Sequence, residues 1–155
     1  MADIFSKEKR SAVMAAIKGK DTSPELIVCR FLRKNRVYFQ RHYSRAKGCP
    51  DIAQPRKKKA VFIDGDFWHG YKFEEKRQRL EKSQQVYWIK KIERNMVRDR
   101  EYSGELARDG WEVMHVWEHL IIKQSSRGET LNNILAFLTS EKPSGSQGKP
   151  SSQNR

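Results

Sequence analysis

Apolar and polar positions alternate along this chain in short, readable blocks. Ser6 to Lys20 predicts a short helix, with Ser6 as its N-cap and Val13, Met14 and Ile17 on one face at spacings of three and four. Thr22-Ser23-Pro24-Glu25 predicts a stronger helix start: Thr22 and Glu25 fit a capping box, and Pro24 suits the first turn. That helix should run to about Arg36 and turn Leu26, Ile27, Phe31 and Leu32 inward. Val37 to Arg41 then predicts a strand. Asp51-Ile52-Ala53-Gln54 and Ala60-Val61-Phe62-Ile63 are two β-prone runs joined by the turn Pro55-Arg56-Lys57-Lys58-Lys59.

If that hairpin centres on Lys57, Asp51 lies opposite Ile63, and opposed Cα atoms of an antiparallel pair sit about 4.5–5.5 Å apart. Tyr71 to Gln84 reads as a charged segment. A long helix is predicted from about Val86 to Arg108, with Gly110 as its stop. Trp111 to Trp117 predicts another strand, and Leu131 to Leu138 a last amphipathic helix. From Lys142 the composition turns to Pro, Ser, Gly, Gln and Lys, which cannot bury enough apolar surface to offset its ordering entropy. The reading is a basic arm over residues 1–20, an α/β domain over 21–141 with a mixed central sheet flanked by helices, and a disordered tail over 142–155.

Charge narrows the function. Lys plus Arg number 32 against 19 Asp plus Glu in 155 residues, a net charge of +13, which points first to a polyanion such as nucleic acid. Sixteen aromatics (4 Trp, 5 Tyr, 7 Phe) argue against a wholly disordered chain. No apolar run approaches the roughly 18–20 residues of a membrane span, and the first ten residues lack a secretory signal's apolar block. Two cysteines, Cys29 and Cys49, exclude a disulfide scaffold and a four-thiolate zinc cage. A cytosolic, basic, single-domain protein is expected. Its N-terminal helix, carrying Lys7, Lys9, Arg10, Lys18 and Lys20, is either an arm laid on DNA or a docked amphipathic helix with a solvated face.

Several residues could carry chemistry. Pro50-Asp51 followed by a strand ending in Asp64 matches a metal-dependent nuclease core. Phosphodiester hydrolysis needs charge neutralised on two oxygens, and Mg²⁺ takes oxygen ligands from one or two carboxylates plus water. Asp51 with a backbone carbonyl of the neighbouring strand would supply them, with Asp64 and Asp66 in reserve; solvated strand-end carboxylates are the other reading. In Phe62-Ile63-Asp64-Gly65-Asp66-Phe67-Trp68-His69-Gly70, the aromatics either stack on bases or pack in the core. His69 is either a general base or a capped loop histidine. On the long helix, Trp88, Ile92, Asn95 and Asp99 fall within a stripe roughly 60° wide, beside a basic stripe of Lys91, Arg94 and Arg98. An inward Asp99 needs a partner, a histidine or an arginine.

These motifs together resemble the very-short-patch repair endonucleases, bacterial T:G mismatch-specific DNA nickases with a restriction-endonuclease-like fold. The resemblance covers about Met1 to Ala136. It is carried by Met1-Ala2-Asp3, Arg10-Ser11 with Met14 to Ile17, Asp21-Thr22 with Glu25, and Pro50-Asp51. Phe62, Gly65 and Phe67-Trp68-His69 continue it, followed by Trp88, Lys91-Ile92, Asn95, Arg98-Asp99-Arg100, and Gly110-Trp111 through Val116-Trp117-Glu118.

The resemblance implies a restriction-endonuclease-like single domain and Mg²⁺-dependent nicking at T:G mismatches left by deaminated 5-methylcytosine. Asp51 would ligate Mg²⁺ with the main-chain carbonyl of Ile63, with Asp64 as an added carboxylate. His69 would activate water, oriented by Asp99, and Glu25 would lie near the metal through water. Phe67, Trp68 and Trp88 would form a wedge beside the mismatch, with Lys91, Arg94 and Arg98 also on the DNA. Implied partners are double-stranded DNA with a T:G mismatch and a mismatch-repair match-maker protein, in the bacterial cytoplasm at the nucleoid. The chain departs from the family twice. Asp66, Tyr71, Phe73 and His119 stand where many members hold a structural zinc with Cys and His, so no zinc is expected, and Asp64 replaces a common histidine. The alternatives are a restriction- or junction-type nuclease of the same fold and a non-catalytic basic DNA-binding module.

Overall fold

Thr22 is extended and hands the chain to α1, Ser23–Lys34, in a computed structural model that describes residues 22–141. The expected helix over Ser6 to Lys20 and the tail from Lys142 lie outside the described residues. Pro24 sits in the first turn of α1 as expected, but Thr22 makes no side-chain cap hydrogen bond. The Thr22 half of the expected capping box is therefore absent, and Glu25 is buried, 5% exposed. α1 ends at Asn35 in a Schellman arrangement. Arg36 takes the left-handed conformation (φ 58°), and the Val37 N–H reaches the Leu32 carbonyl at 3.0 Å. Leaving the helix in this way consumes Val37 to Phe39, so the expected strand shrinks to β1, Gln40–Arg41.

Strands β2 (Ile52–Gln54) and β3 (Lys59–Asp64) form the expected hairpin. Its register pairs Ile52 with Val61 and Gln54 with Lys59, so each pairing is one residue off that expected from a centre on Lys57. The turn is the reason. The Lys58 N–H closes on the Pro55 carbonyl at 3.2 Å and Lys58 is left-handed (φ 54°), so only Pro55 to Lys58 lie outside the ladder.

The segment read as charged contains a helix, α2 (Phe73–Lys82), whose one buried residue is Leu80. The long helix α3 runs over Val86–Arg108 as expected. Gly110 (φ 88°) stops it, with the Trp111 N–H on the Leu106 carbonyl at 2.9 Å. β4 (Glu112–Trp117) follows, then a short helix α4 (Glu118–Ile122) and α5 (Gln124–Thr139). The last helix starts seven residues before the predicted one, because Gln124 to Thr130 carry no apolar period.

The sheet order is β1-β2-β3-β4, antiparallel except for the β3–β4 pair, which is parallel. This is a mixed sheet with helices on its faces, consistent with the restriction-endonuclease-like fold. On one face Val28, Cys29 and Leu32 of α1 meet Ile52, Val61 and Val116 of the sheet and Ile121, Leu131, Ile134 and Leu138 of α4 and α5. Each fully buried aliphatic side chain there contributes about 1.5–3 kcal/mol. A second cluster joins Leu80 of α2 to Trp88, Ile89 and Ile92 of α3, with Phe67, Trp68, Phe73 and Met96 against it.

Lys59, 0% exposed, ties the hairpin to the end of α5. Its Nζ donates to the Phe137 carbonyl (2.5 Å), the Ser140 carbonyl (2.7 Å) and Ser140 Oγ (2.5 Å). An ammonium has three protons, and these acceptors use all of them where a helix ends in bare carbonyls. Among the described residues no helix is long and apolar enough to cross a membrane.

Candidate active site

The β2–β3 hairpin brings two carboxylates to one edge of the sheet. Asp51 immediately precedes β2, and its Oδ2 accepts the Ile63 N–H at 2.7 Å. The shifted register places the Asp51 backbone across from Phe62, yet the side chain still reaches the Ile63 peptide. Asp64 closes β3 and is 7% exposed. Glu25 approaches from α1. Burial pushes the Asp51 carboxyl up to about 7; the Ile63 N–H pulls it down, and the charges of Glu25 and Asp64 push it up again. Carboxylates crowded in this way favour a bound cation. Glu25, His42 and Asp51 each offer a ligand atom, and these atoms lie within 4.8 Å of one another. The donor set therefore fits a divalent cation.

Past β3, residues 65–72 form a loop held against α3. The His69 N–H bonds the Gly65 carbonyl, and the Tyr71 N–H bonds the Asp66 carbonyl, both at 3.1 Å. Gly70 is left-handed (φ 87°), and a Cβ there would run into the Met96 thioether. Two residues one turn apart on α3 reach this loop. Asn95 Nδ2 donates to the Trp68 carbonyl at 2.9 Å, and Asp99 Oδ2 lies 2.5 Å from His69 Nδ1. The expected inward stripe thus exists, and of the two partners open to Asp99 it has the histidine. Burial draws the His69 pKa down, but the Asp99 hydrogen bond and the charges of Asp64 and Asp99 outweigh it, and the net shift is upward.

The cleft these residues line has a volume of about 1160 Å³. Arg98 lines it, while its guanidinium also donates to Asn95 Oδ1 at 3.0 Å. Arg94 is exposed and Lys91 half-buried. Phe67 and Trp68 are half-buried, edge to face with centroids 4.6 Å apart. Trp88 is 5% exposed beneath Trp68, at 5.4 Å and 67°. In this conformation Trp88 supports Trp68 from below, and of these three aromatics only Trp68 lines the cleft.

Several cleft residues escaped the sequence reading. His42 stands opposite Asp51, its N–H on the Asp51 carbonyl at 3.1 Å. His115 on β4 places Nδ1 2.7 Å from Asp64 Oδ2, and its Nε2 lies 2.7 Å from Ser103 Oγ on α3. The His115 ring stacks on Phe62 at 5.0 Å and 12°. With Nδ1 donating to the Asp64 carboxylate, Nε2 is placed to accept the Ser103 hydroxyl. Asp64 Oδ1 meanwhile lies 3.8 Å from His69 Nδ1. Arg45, Lys47 and Glu118 also line the cleft. The parallel β3–β4 register, which pairs Phe62 with His115, is the signal that would have found His115.

The positions discussed for zinc are engaged with one another. His119 Nδ1 lies 2.8 Å from Asp66 Oδ1, and the Tyr71 ring is 4.4 Å from His119 and 5.2 Å from Trp117. Lys76 donates to the Asp66 carbonyl and sits over Tyr71 at 5.9 Å and Phe67 at 5.6 Å.

Comparison with known proteins agrees with this architecture. The family model described as DNA mismatch endonuclease Vsr matches residues 2–75. A type II nicking enzyme of Neisseria meningitidis serogroup A, V.NmeAIP, is 36% identical over 135 residues, covering 87% of this chain and 95% of the relative. Another, V.NmeDIP of serogroup C, is 34% identical over 124 residues, 80% of this chain and 83% of the relative. The DNA mismatch endonuclease Vsr of Escherichia coli K12 is 33% identical over 121 residues, 76% of this chain and 74% of that protein. With relatives at this identity aligned over most of their length, the chain belongs to the Vsr family and is a DNA endonuclease.

Proposed function

We propose that this endonuclease nicks one strand of duplex DNA at a T:G mismatch, the lesion left when 5-methylcytosine deaminates, and that it uses Mg²⁺. One observation carries the reading. A histidine held by a carboxylate, His69 on Asp99 at 2.5 Å, shares a cleft with the buried acids Glu25 and Asp64 and with Asp51.

Asp51, the Ile63 carbonyl and Asp64 would hold the ion. A residue's N–H and C=O leave an extended strand on the same side, so the carbonyl of Ile63 faces the side on which its N–H meets Asp51. A bound divalent cation supplies charge neutralisation at the attacking and leaving oxygens. Asp99 accepts the His69 Nδ1 proton and fixes the tautomer, which leaves Nε2 to take a proton from the attacking water. The water oxygen bonds to phosphorus, the bond to the leaving sugar oxygen breaks, and that oxygen is reprotonated by solvent. Arg45, Lys47 and Arg98 would meet the backbone phosphates. Trp68, backed by Trp88, would enter beside the mismatch, where unstacking costs least.

The names of the nicking-enzyme relatives favour a second reading, nicking at a recognition sequence in paired DNA. Nicking of a T:G duplex beside its T:A and C:G counterparts, with and without Mg²⁺, separates them. A Mg²⁺-dependent nick on the mismatched duplex alone is expected. Equal cutting of all three favours the second reading, and binding without cutting favours a non-catalytic module. Asp51→Ala should abolish nicking while sparing most DNA binding, which rests on Lys and Arg; an active variant would remove Asp51 from the site.

A further inference from the structure

Beside the acids stands a nitrogen donor that a purely oxygen-lined magnesium site does not need. His42 continues the β1–β2 ladder past Arg41. Its N–H bonds the Asp51 carbonyl at 3.1 Å, and the Tyr43 N–H bonds the Pro50 carbonyl at 3.0 Å. The ladder thereby fixes His42 directly across from Asp51. Its backbone is left-handed (φ 48°), a conformation that non-glycine residues enter at a cost and His enters more readily than most. In that conformation the imidazole meets α1: His42 Nε2 lies 3.4 Å from Glu25 Oε2. Three separate elements thus converge their donor atoms within 4.8 Å.

We propose that this cleft also takes divalent transition-metal ions such as Mn²⁺ and Co²⁺, and that His42 is then a direct ligand, forming with Glu25 and Asp51 a one-imidazole, two-carboxylate site. This rests on the reading of Asp51 as the cation-binding acid. The chemistry separates the ions. Mg²⁺ holds hard oxygen ligands and keeps several waters, whereas imidazole suits the first-row transition metals. Losing His42 should therefore weaken Mn²⁺ and leave Mg²⁺ nearly unchanged. The ligand atoms that converge belong to Glu25, His42 and Asp51, and His69, whose Nδ1 pairs with Asp99, is outside that set.

The probe is Mn²⁺ added to the full-length protein, read by electron spin echo modulation, in which a coordinated imidazole gives a ¹⁴N signal. Wild type should show that modulation. His69→Gln should keep it, and His42→Asn, which suits the left-handed position, should lose it. In parallel titrations His42→Asn should bind Mn²⁺ roughly tenfold or more weakly and Mg²⁺ within about twofold of wild type. Absence of ¹⁴N modulation in the wild type overturns the proposal whatever the variants do, as does its persistence in folded His42→Asn. Asp51→Asn distinguishes the two levels. Mn²⁺ binding that depends on Asp51 but shows no nitrogen refutes the His42 ligand alone. Binding indifferent to Asp51 refutes the reading beneath it.

Discussion

His69 and Asp99 stand thirty positions apart in the chain, yet Nδ1 of one lies 2.5 Å from Oδ2 of the other. The loop that carries His69 is tied to α3 twice, one turn apart, at Asn95 and at Asp99. The imidazole is thus oriented by the rigid helix that backs the cleft, not by its own loop alone.

That pairing predicts a unit. His69→Ala should lower the single-turnover nicking rate by roughly 10²–10⁴-fold, the usual size of a general-base contribution. Asp99→Asn should slow the same step, because the amide can present an N–H to the ring and favour the wrong tautomer. The double variant should be little slower than His69→Ala. Multiplicative losses would mean that Asp99 acts through Arg98 instead.

The same contact sets a pH dependence. The His69 pKa is raised from 6.5, since burial is outweighed by the Asp99 bond and the nearby acids. A base must be neutral to act, so the rate should fall on an acid limb centred above 6.5. Asp99→Asn removes the raising contact and should move that limb to lower pH. For folding the sign runs alike: a raised histidine pKa stabilises fully below its unfolded value and loses that contribution as pH rises through the folded one. Asp51, raised from 3.8 to about 7, likewise stabilises below 3.8 and loses its contribution by pH 7 and above. Metal-free protein should therefore melt lower at pH 8 than at pH 6, by a margin that shrinks in Asp51→Asn.

Local periodicity made much of this legible. Apolar spacing and Gly110 marked both ends of α3, and the same spacing put Asp99 on its inward stripe. The hairpin was readable too, but its register slipped by one because nothing in Pro55 to Lys58 announces that Lys58 will turn left-handed. α2 escaped because it buries one side chain and is otherwise charged on every face. His42 and His115 escaped for another reason. Each is a lone histidine whose partner belongs to a distant element, and only the sheet pairing brings Asp51 to the first and Asp64 to the second.

The two tryptophans should separate by burial. Trp88, 5% exposed, is core, and Trp88→Ala should cost about 3–5 kcal/mol in denaturant unfolding. Trp68 lines the cleft, and Trp68→Ala should weaken binding to the T:G duplex more than to the paired one. A Trp68→Ala protein that is destabilised but keeps its mismatch preference would return Trp68 to the core.

Elemental analysis should find well under one zinc per chain. Tyr71 and Phe73 are poor zinc ligands, and Asp66 and His119 satisfy each other at 2.8 Å. A zinc-selective chelator should leave the melting temperature unchanged. A stoichiometric, chelator-resistant zinc would overturn this reading.

The last prediction concerns Asp64, whose two oxygens face two histidines. His115 holds Oδ2 at 2.7 Å, while Oδ1 lies 3.8 Å from His69. His115 is itself fixed on both sides, by Ser103 at 2.7 Å and by the Phe62 ring at 5.0 Å. His115 is therefore a positioning residue, holding a buried carboxylate in place beside His69. In His115→Ala the carboxylate of Asp64, 7% exposed, loses the hydrogen-bond donor that holds its Oδ2. Nicking should fall roughly 10–100-fold, the usual effect of losing a supporting partner at a metal site, and DNA binding should hold. Ser103→Ala removes only the outer contact and should do less. His115→Gln restores an N–H donor to Asp64 and should recover part of the rate. Wild-type rates in His115→Ala would show that this chain of contacts serves the fold alone.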